Sequence, residues 1–144
     1  MRGIMMNPMA DASTIERALM MHARMQKSPI NGSLELLPLC NLNCKMCYVR
    51  LSRQDQEAIS PLADAKTWLA LAEQAADAGM LYLLITGGEP FLHPQFRQIL
   101  EGLHKMGLLI TLNTNGTLID ENTIKWLVNC PPVRVNISLY GASD

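Results

Sequence analysis

The chain has 144 residues, of which 49% are apolar and 17% charged, and its formal net charge is −1. This composition predicts a globular chain with a buried core and excludes the intrinsically disordered class. The nearly neutral charge argues against a nucleic-acid or membrane-surface partner, and apolar runs such as residues 81–85 are too short to cross a bilayer. The N-terminus lacks the pattern of a signal peptide, so clustered cysteines indicate a reducing, cytoplasmic compartment.

The first 32 residues are expected to form a leader and one short helix. Residues 1–12 are assigned to the leader, and residues 13–27 to an amphipathic helix. Ser13 and Glu16 have the spacing of a capping box, in which each satisfies a free backbone amide of the other. The Ser-Pro-Ile-Asn-Gly segment that follows is a helix breaker.

From residue 33 onward, predicted strands alternate with predicted helices. The strands are expected at residues 33–39, 81–86, 108–112 and 133–139. The helices are expected from Ser60 to Gly79, over 94–106, and from Asp120 to about 128, with Ser60 and Asp120 as N-caps. The charged run 50–57 is expected to be a solvated loop, and the apolar strand 81–86 to be covered on both faces. This order predicts βα units and a parallel sheet of about four strands, in an α/β fold.

A polar or glycine-rich loop follows each predicted strand. These loops contain, in chain order, a cysteine cluster, Gly-Gly-Glu-Pro, Thr-Asn-Gly and Ser-Leu-Tyr-Gly. Because the carboxyl ends of parallel strands meet at one edge of a sheet, the sequence predicts a functional site at that edge.

Three cysteines, Cys40, Cys44 and Cys47, form a C-x3-C-x2-C motif in the first of these loops. A structural zinc site uses four closed ligands, and a cubane iron–sulfur cluster is usually held by four cysteines. Three thiolates without a fourth suggest a [4Fe–4S] cluster with one iron left open to a ligand that is not protein.

The cysteine motif and the three later loops together resemble the radical S-adenosylmethionine (SAM) superfamily over residues 33–144. The later matches are Gly-Gly-Glu-Pro at 87–90, Asn-Thr-Asn-Gly at 113–116 and Asn-Ile-Ser-Leu at 136–139. The final segment, residues 137–144, is similar to the branch with a C-terminal SPASM extension, which matures peptides and proteins.

This resemblance implies the N-terminal portion of a partial (β/α)6 TIM-type barrel. Residues 1–32 would precede the core and residues 33–144 would form it, as a piece of a longer protein that stops after the fourth strand. The three cysteines would ligate a [4Fe–4S] cluster whose open iron chelates SAM. An electron from a flavodoxin- or ferredoxin-like donor would cleave SAM to a 5′-deoxyadenosyl radical, which abstracts hydrogen from a peptide or protein substrate.

The resemblance also implies a set of SAM-binding residues. Gly87, Gly88 and Glu89 would receive the methionine end of SAM, with backbone carbonyls or the Glu89 carboxylate as acceptors for its ammonium group. Ser138 would bind the ribose or carboxylate of SAM. Asn115 is a weaker match to the same site. Met46 occupies a position that is often aromatic in the family and would offer the adenine an apolar surface.

Three other interpretations stay open at this point. The chain could be a non-catalytic zinc or iron–sulfur module with Cys130 as a fourth ligand, although Cys130 is expected to be a buried thiol. Cys44 and Cys47 could form a thiol–disulfide pair, which should then open a helix. The chain could also be a catalytically incompetent fragment of the enzyme. His93 is expected to be a capping or surface residue.

Overall fold

A computed structural model describes residues 13–139, which form one four-stranded parallel sheet with helices packed on it. The leader at 1–12 and the last five of the SPASM-like residues 137–144 lie outside the described part. In chain order the elements are α1 (Thr14–Gln26), β1 (Asn31–Glu35), α2 (Arg53–Ile59), α3 (Ala65–Asp77), β2 (Tyr82–Thr86), a 3₁₀ turn (Pro90–Leu92), α4 (Phe96–Lys105), β3 (Leu109–Thr114), α5 (Glu121–Leu127) and β4 (Arg134–Ile137).

The sheet has the strand order β1-β2-β3-β4, so each strand pairs with its neighbour in the chain. All three pairings are parallel. In the register, Glu35 lies beside Thr86, and Thr114 lies beside Ile137. The carboxyl ends of the strands therefore meet at one edge, and the predicted α/β fold is confirmed.

Two of the predicted helix starts are confirmed by their caps. The Ser13 hydroxyl accepts a hydrogen bond from the Glu16 amide at 3.2 Å, while Glu16 Oε2 accepts one from the Ser13 amide at 2.8 Å. Asp120 Oδ1 accepts a hydrogen bond from the Thr123 amide at 2.7 Å and caps α5. These side chains satisfy amides that a helix leaves without an internal partner.

The prediction of a helix beginning at Ser60 was wrong. Ser60 instead ends α2, and α3 begins after Asp64, whose Oδ1 accepts hydrogen bonds from the Thr67 amide at 2.8 Å and the Thr67 hydroxyl at 2.7 Å. A carboxylate with two local donors is the better cap.

The expectation of a solvated loop over residues 50–57 was also wrong, because residues 53–59 form α2. The Ser52 hydroxyl accepts a hydrogen bond from the Asp55 amide at 3.1 Å, which starts the helix. Gln56 is buried, and its side-chain amide donates to the Ser60 carbonyl. The helix has too few apolar residues for a periodicity signal.

The apolar core lies between one face of the sheet and helices α3 and α4. Leu83 and Ile85 of β2 and Ile110 and Leu112 of β3 alternate toward this core, where they meet fully buried side chains of α4. The alternation corrects the expectation that β2 is covered on both faces, because Tyr82, Leu84 and Thr86 are only partly buried. Trp68 and Trp126 pack against the core from the helices.

The opposite face of the sheet is mostly polar. Its side chains line two adjoining cavities, and they include Ser33, Thr86, Asn113 and Asn136. Period-two alternation along β2 and β3 thus places an apolar core behind the sheet and polar side chains in front of it, whereas all residues of β4 are exposed. No helix in the described stretch has the length and apolarity needed to span a membrane.

We expect the Asp120 cap to make stability depend on pH. Hydrogen bonds led by the Thr123 backbone amide hold the pKa of the exposed Asp120 carboxyl below its usual value of 3.8. A lowered pKa in the folded state contributes stability above the unfolded-state pKa, and that contribution is lost as the pH falls through the folded-state value.

The Asp120→Asn variant tests this, since asparagine caps helices without a titrating group. Thermal unfolding followed by circular dichroism should show the two proteins close together at pH 7 and the wild type losing more stability than the variant at pH 3. An equal loss in both proteins would contradict the assignment.

Candidate functional site

A cavity of about 550 Å³ lies at the carboxyl edge of the sheet. It is bounded by the loops after β1, β2 and β3 and by the end of β4. Of the site residues expected from the sequence, those that line the cavity are Cys40, Cys44, Met46, Cys47, Gly87, Gly88, Asn115 and Ser138. The remaining one, Glu89, does not line it. Among the described residues of the lining, Glu35 carries the only charged side chain.

The cysteine loop leaves β1 and passes over the mouth of this cavity. Cys40 and Cys44 are partly exposed and Cys47 is exposed, while the Cys47 amide donates to the Cys44 carbonyl at 3.1 Å to form a tight turn. The far end of the loop is held by the Leu51 amide, which donates to the Pro38 carbonyl at 3.0 Å.

The three thiols line one cavity without converging on a single ion. No group of three histidine, cysteine, aspartate or glutamate side chains within the described residues is arranged to hold a metal ion. The donor set nevertheless fits an iron–sulfur cluster, because thiolates are its usual ligands. The sulfur of Cys40 already faces two N–H donors, the Leu42 amide at 3.4 Å and Asn115 Nδ2 at 3.6 Å.

Gly87 and Gly88 let the loop after β2 lie directly against the start of the cysteine loop. Gly87 has φ +140°, and a Cβ there would be 2.6 Å from the Leu37 carbonyl oxygen. A Cβ on Gly88 would be 2.1 Å from the Leu39 carbonyl oxygen. The close approach permits hydrogen bonds from the Gly88 amide to Leu37 O at 2.7 Å and from the Glu89 amide to Leu39 O at 2.8 Å.

The Glu89 side chain is fully buried and bonded to protein. Its Oε1 accepts hydrogen bonds from the Thr114 hydroxyl at 2.8 Å and the Phe91 amide at 3.2 Å, and its Oε2 accepts one from the Asn115 amide at 2.8 Å. The Glu89 carboxyl group thus joins the loops after β2 and β3, while Gly87 and Gly88 lie in the cavity wall. A contact between the Glu89 carboxylate and SAM stays a prediction.

Asn115 lies where the loop after β3 meets the cysteine loop. Its Nδ2 donates to Asn41 Oδ1 at 2.9 Å, and its Oδ1 accepts from the Thr117 amide at 2.9 Å. Asn41 Nδ2 in turn donates to the Thr117 hydroxyl at 2.8 Å. Asn41 and Thr117 were missed by sequence reasoning, because they are 76 positions apart and the cysteine motif leaves the residue type at position 41 unspecified.

The other expected SAM-binding residues lie on the rim and floor of the cavity. Ser138 follows β4, where its amide donates to the Thr114 carbonyl at 3.0 Å. Met46 is 70% exposed and Tyr48 93% exposed. Both side chains therefore present apolar surface at the cavity mouth.

Two residues whose roles the sequence left open, Cys130 and His93, are buried. Cys130 is buried in the core, where burial raises the pKa of its thiol, and it does not line the cavity. His93 is buried rather than at the surface: its Nδ1 accepts from the Gln95 amide at 3.2 Å, and its Nε2 lies 3.0 Å from the Ala63 carbonyl oxygen. His93 thereby joins the segment before α3 to the segment before α4.

The fold and the cavity together define an α/β protein with a thiol-rich site at the carboxyl edge of a parallel sheet. The sequence model of the radical SAM superfamily matches residues 34–144, and the chain belongs to this superfamily. The cofactors of the family, a [4Fe–4S] cluster and SAM, are those expected from the sequence, and the superfamily assignment is confirmed.

Several curated relatives have names that refer to the biosynthesis or cyclisation of peptides. The chain is 34% identical over 99 residues to the antilisterial bacteriocin subtilosin biosynthesis protein AlbA of Bacillus subtilis, covering 69% of this chain and 21% of the relative. It is 33% identical over 118 residues to the PqqA peptide cyclase of Gluconobacter oxydans, covering 81% of this chain and 32% of the relative. The chain thus spans a third or less of these relatives.

Solved structures of SuiB from Streptococcus suis share the fold. One matches with a TM-score of 0.66 and 25% identity, covering 87% of this chain and 28% of SuiB. A second, of SuiB bound to SAM, matches with a TM-score of 0.63 and 24% identity, over 87% of this chain and 28% of SuiB. The α/β fold expected for a barrel of this family is therefore confirmed.

Replacing the buried carboxylate should destabilise the chain. Glu89→Gln keeps the size of the side chain but turns one acceptor oxygen into a donor that faces another donor. A buried group left without its partner costs about 1–3 kcal/mol in the free energy of unfolding. Urea denaturation measures the difference.

Glu101→Gln is the matched control. Glu101 pairs with Arg97 at 2.7 Å, but these side chains are 37% and 62% exposed, and such pairs contribute about 0–1 kcal/mol. An equal decrease in the free energy of unfolding in the two variants would argue against a special role of the Glu89 carboxylate.

Gly88→Ala should also lower the free energy of unfolding, for a different reason. The new Cβ would press on the Leu39 backbone oxygen, which cannot move without displacing the cysteine loop. Overpacking of this kind costs about 1–3 kcal/mol in unfolding free energy. Gly32→Ala is the control, since the Cβ there meets only the flexible end of Met80. A similar denaturation midpoint for both variants would contradict the prediction.

Proposed function

We propose that residues 33–144 form the cluster- and SAM-binding part of a radical SAM enzyme that acts on a peptide or protein. The observation that carries this proposal is the meeting of the cysteine loop, Gly87–Gly88 and Ser138 around one cavity. These residues follow β1, β2 and β4, and they meet at one edge because the carboxyl ends of parallel strands lie together. Residues 1–32 would precede this core.

Each side of the cavity has its own role in the proposal. Cys40, Cys44 and Cys47 would hold the cluster. The backbone of Gly87 and Gly88 would meet the methionine end of SAM, because both residues lie in the wall of the cavity. When bound, these cofactors supply reductive cleavage of SAM to a 5′-deoxyadenosyl radical, which abstracts hydrogen from the substrate.

Ser138 and Met46 would complete the SAM site. Ser138 can donate to, or accept from, the ribose or the carboxylate of SAM. Met46 would cover the adenine with a polarizable apolar side chain at the mouth of the cavity. Asn115 lines the same cavity next to Cys40 and would be a weaker contact of SAM.

A peptide or protein substrate is supported by the relatives. The PqqA peptide cyclase is named for a peptide substrate, and one solved SuiB structure holds the precursor peptide SuiA. We propose the same substrate class here, a SPASM-type extension beyond the core, a flavodoxin- or ferredoxin-like electron donor and a cytoplasmic location. The donor is needed because cleavage of SAM consumes one electron.

The structure weighs against the non-radical interpretations. A zinc module would need Cys130 beside the other thiols, but Cys130 is in the core behind the sheet. A thiol–disulfide pair would open a helix, whereas Cys44 and Cys47 lie in an irregular loop well before α2.

Iron uptake tests the proposal. Anaerobic reconstitution with iron and sulfide should load about four irons per chain, the content of one cubane. Cys44→Ala should abolish this uptake, since it removes one of only three thiolates. Cys130→Ala is the matched control and should load as the wild type does, with folding checked by circular dichroism.

Binding of SAM is measured on the same protein after it has been loaded with the cluster. SAM added to the reduced cluster should change its electron paramagnetic resonance (EPR) spectrum, because a ligand is added to the open iron. Uptake of about two irons or none by the wild type, or retention of zinc that depends on Cys130, would overturn the proposal.

A further inference from the structure

The side-chain amide of Asn115 is the one contact in the described residues that joins the loop after β3 to the sulfur of a cluster cysteine. Its Nδ2 is 3.6 Å from Cys40 Sγ and 2.9 Å from Asn41 Oδ1. Both distances are within hydrogen-bond range for their atoms, given that sulfur is a larger acceptor than oxygen.

The surroundings of Asn115 determine which way its amide points. Oδ1 accepts hydrogen bonds from both the amide and the hydroxyl of Thr117, at 2.9 and 2.7 Å. A flipped amide would direct N–H groups at these donors and an oxygen at Asn41 Oδ1. The orientation that satisfies every group therefore directs N–H at Cys40.

The backbone of Asn115 is fixed as firmly as its side chain. Its amide donates to Glu89 Oε2 at 2.8 Å, and the preceding Thr114 hydroxyl donates to Glu89 Oε1 at the same distance. Glu89 is fully buried, so this anchor has little room to shift. A chain of contacts thus runs from the β2 loop through Glu89 and Asn115 to Cys40.

An N–H donor at a thiolate ligand has two effects. It orients the sulfur, and it withdraws electron density from it, which raises the reduction potential of the attached cluster. Within the described residues, hydrogen bonds of this kind reach the sulfur of Cys40, from Asn115 and from the Leu42 amide, and neither of the other two cluster cysteines.

We propose that Asn115 is a positioning residue that orients the Cys40 thiolate and raises the reduction potential of the cluster, with Glu89 holding it in place. This goes beyond the proposed function, in which Asn115 only lines the cofactor cavity as a weaker contact of SAM, but it rests on the cluster being bound. The role belongs to the amide N–H, not to the bulk of the side chain.

Redox titration of the loaded chain, followed by EPR without SAM, tests the proposal. Asn115→Ala should shift the midpoint potential of the cluster to a more negative value than that of the wild type at equal iron content. Asn115→Ser is the second variant, because a serine hydroxyl still accepts from the Thr117 amide but does not reach the sulfur.

Asn41→Ala is the matched control. It removes the other partner of the Asn115 amide, the contact with Thr117 and an oxygen 4.0 Å from Cys40 Sγ. Because it leaves the N–H donor at Cys40 in place, its potential should not become more negative than that of the wild type. Loss of iron from the Asn115 variants alone, with an unchanged circular dichroism spectrum, would also support a role at the sulfur.

Two results would overturn the proposal. One is an unchanged potential in loaded Asn115→Ala or Asn115→Ser. The other is an equal shift, or an equal loss of iron, in Asn41→Ala, which would assign the effect to the loop as a whole. A wild type that takes up no iron would instead defeat the proposed function.

Discussion

The buried carboxyl group of Glu89 is the constraint on which the site depends. Removing such a group from water is costly unless its acceptors are filled, and here three donors fill them. Two of the donors belong to the end of β3 and the loop that follows it, so the interaction fixes the β2 and β3 loops against each other. A loop-to-loop bond of this kind can form only after the parallel strands have paired in the correct register.

The same register places core-facing and cavity-facing side chains on opposite faces of the sheet. On β2, Ile85 enters the core while its neighbour Thr86 faces the cavity, and on β3 the same division falls between Leu112 and Asn113. A slip of one residue would exchange these faces and direct polar side chains into the core. The energetic demand for a dry core behind the sheet therefore also determines which side chains line the site.

The sequence predicted the features that local signals control. The caps Ser13 and Asp120, the alternation of strands and helices, and the glycine-rich and cysteine-rich loops all follow from patterns a few residues long. The start of α3 at Asp64 was missed because Ser60–Pro61 is an equally good local signal, and α2 was missed because its burial rests on Gln56 rather than on an apolar stripe. Local patterns could also place Glu89 at the site, but not show that its partners come from 25 and 26 positions away.

The cysteine loop has too few internal contacts to define its own shape, so its neighbours hold it from two sides. The β2 loop supports its beginning through the Gly88 and Glu89 amides, and the β3 loop reaches Cys40 through Asn115. Both supports depend on Glu89, one through its backbone and the other through its side chain. A single residue therefore links the wall proposed for the methionine end of SAM to the sulfur proposed for the cluster. The position of these two loops relative to each other therefore depends on the contacts of Glu89.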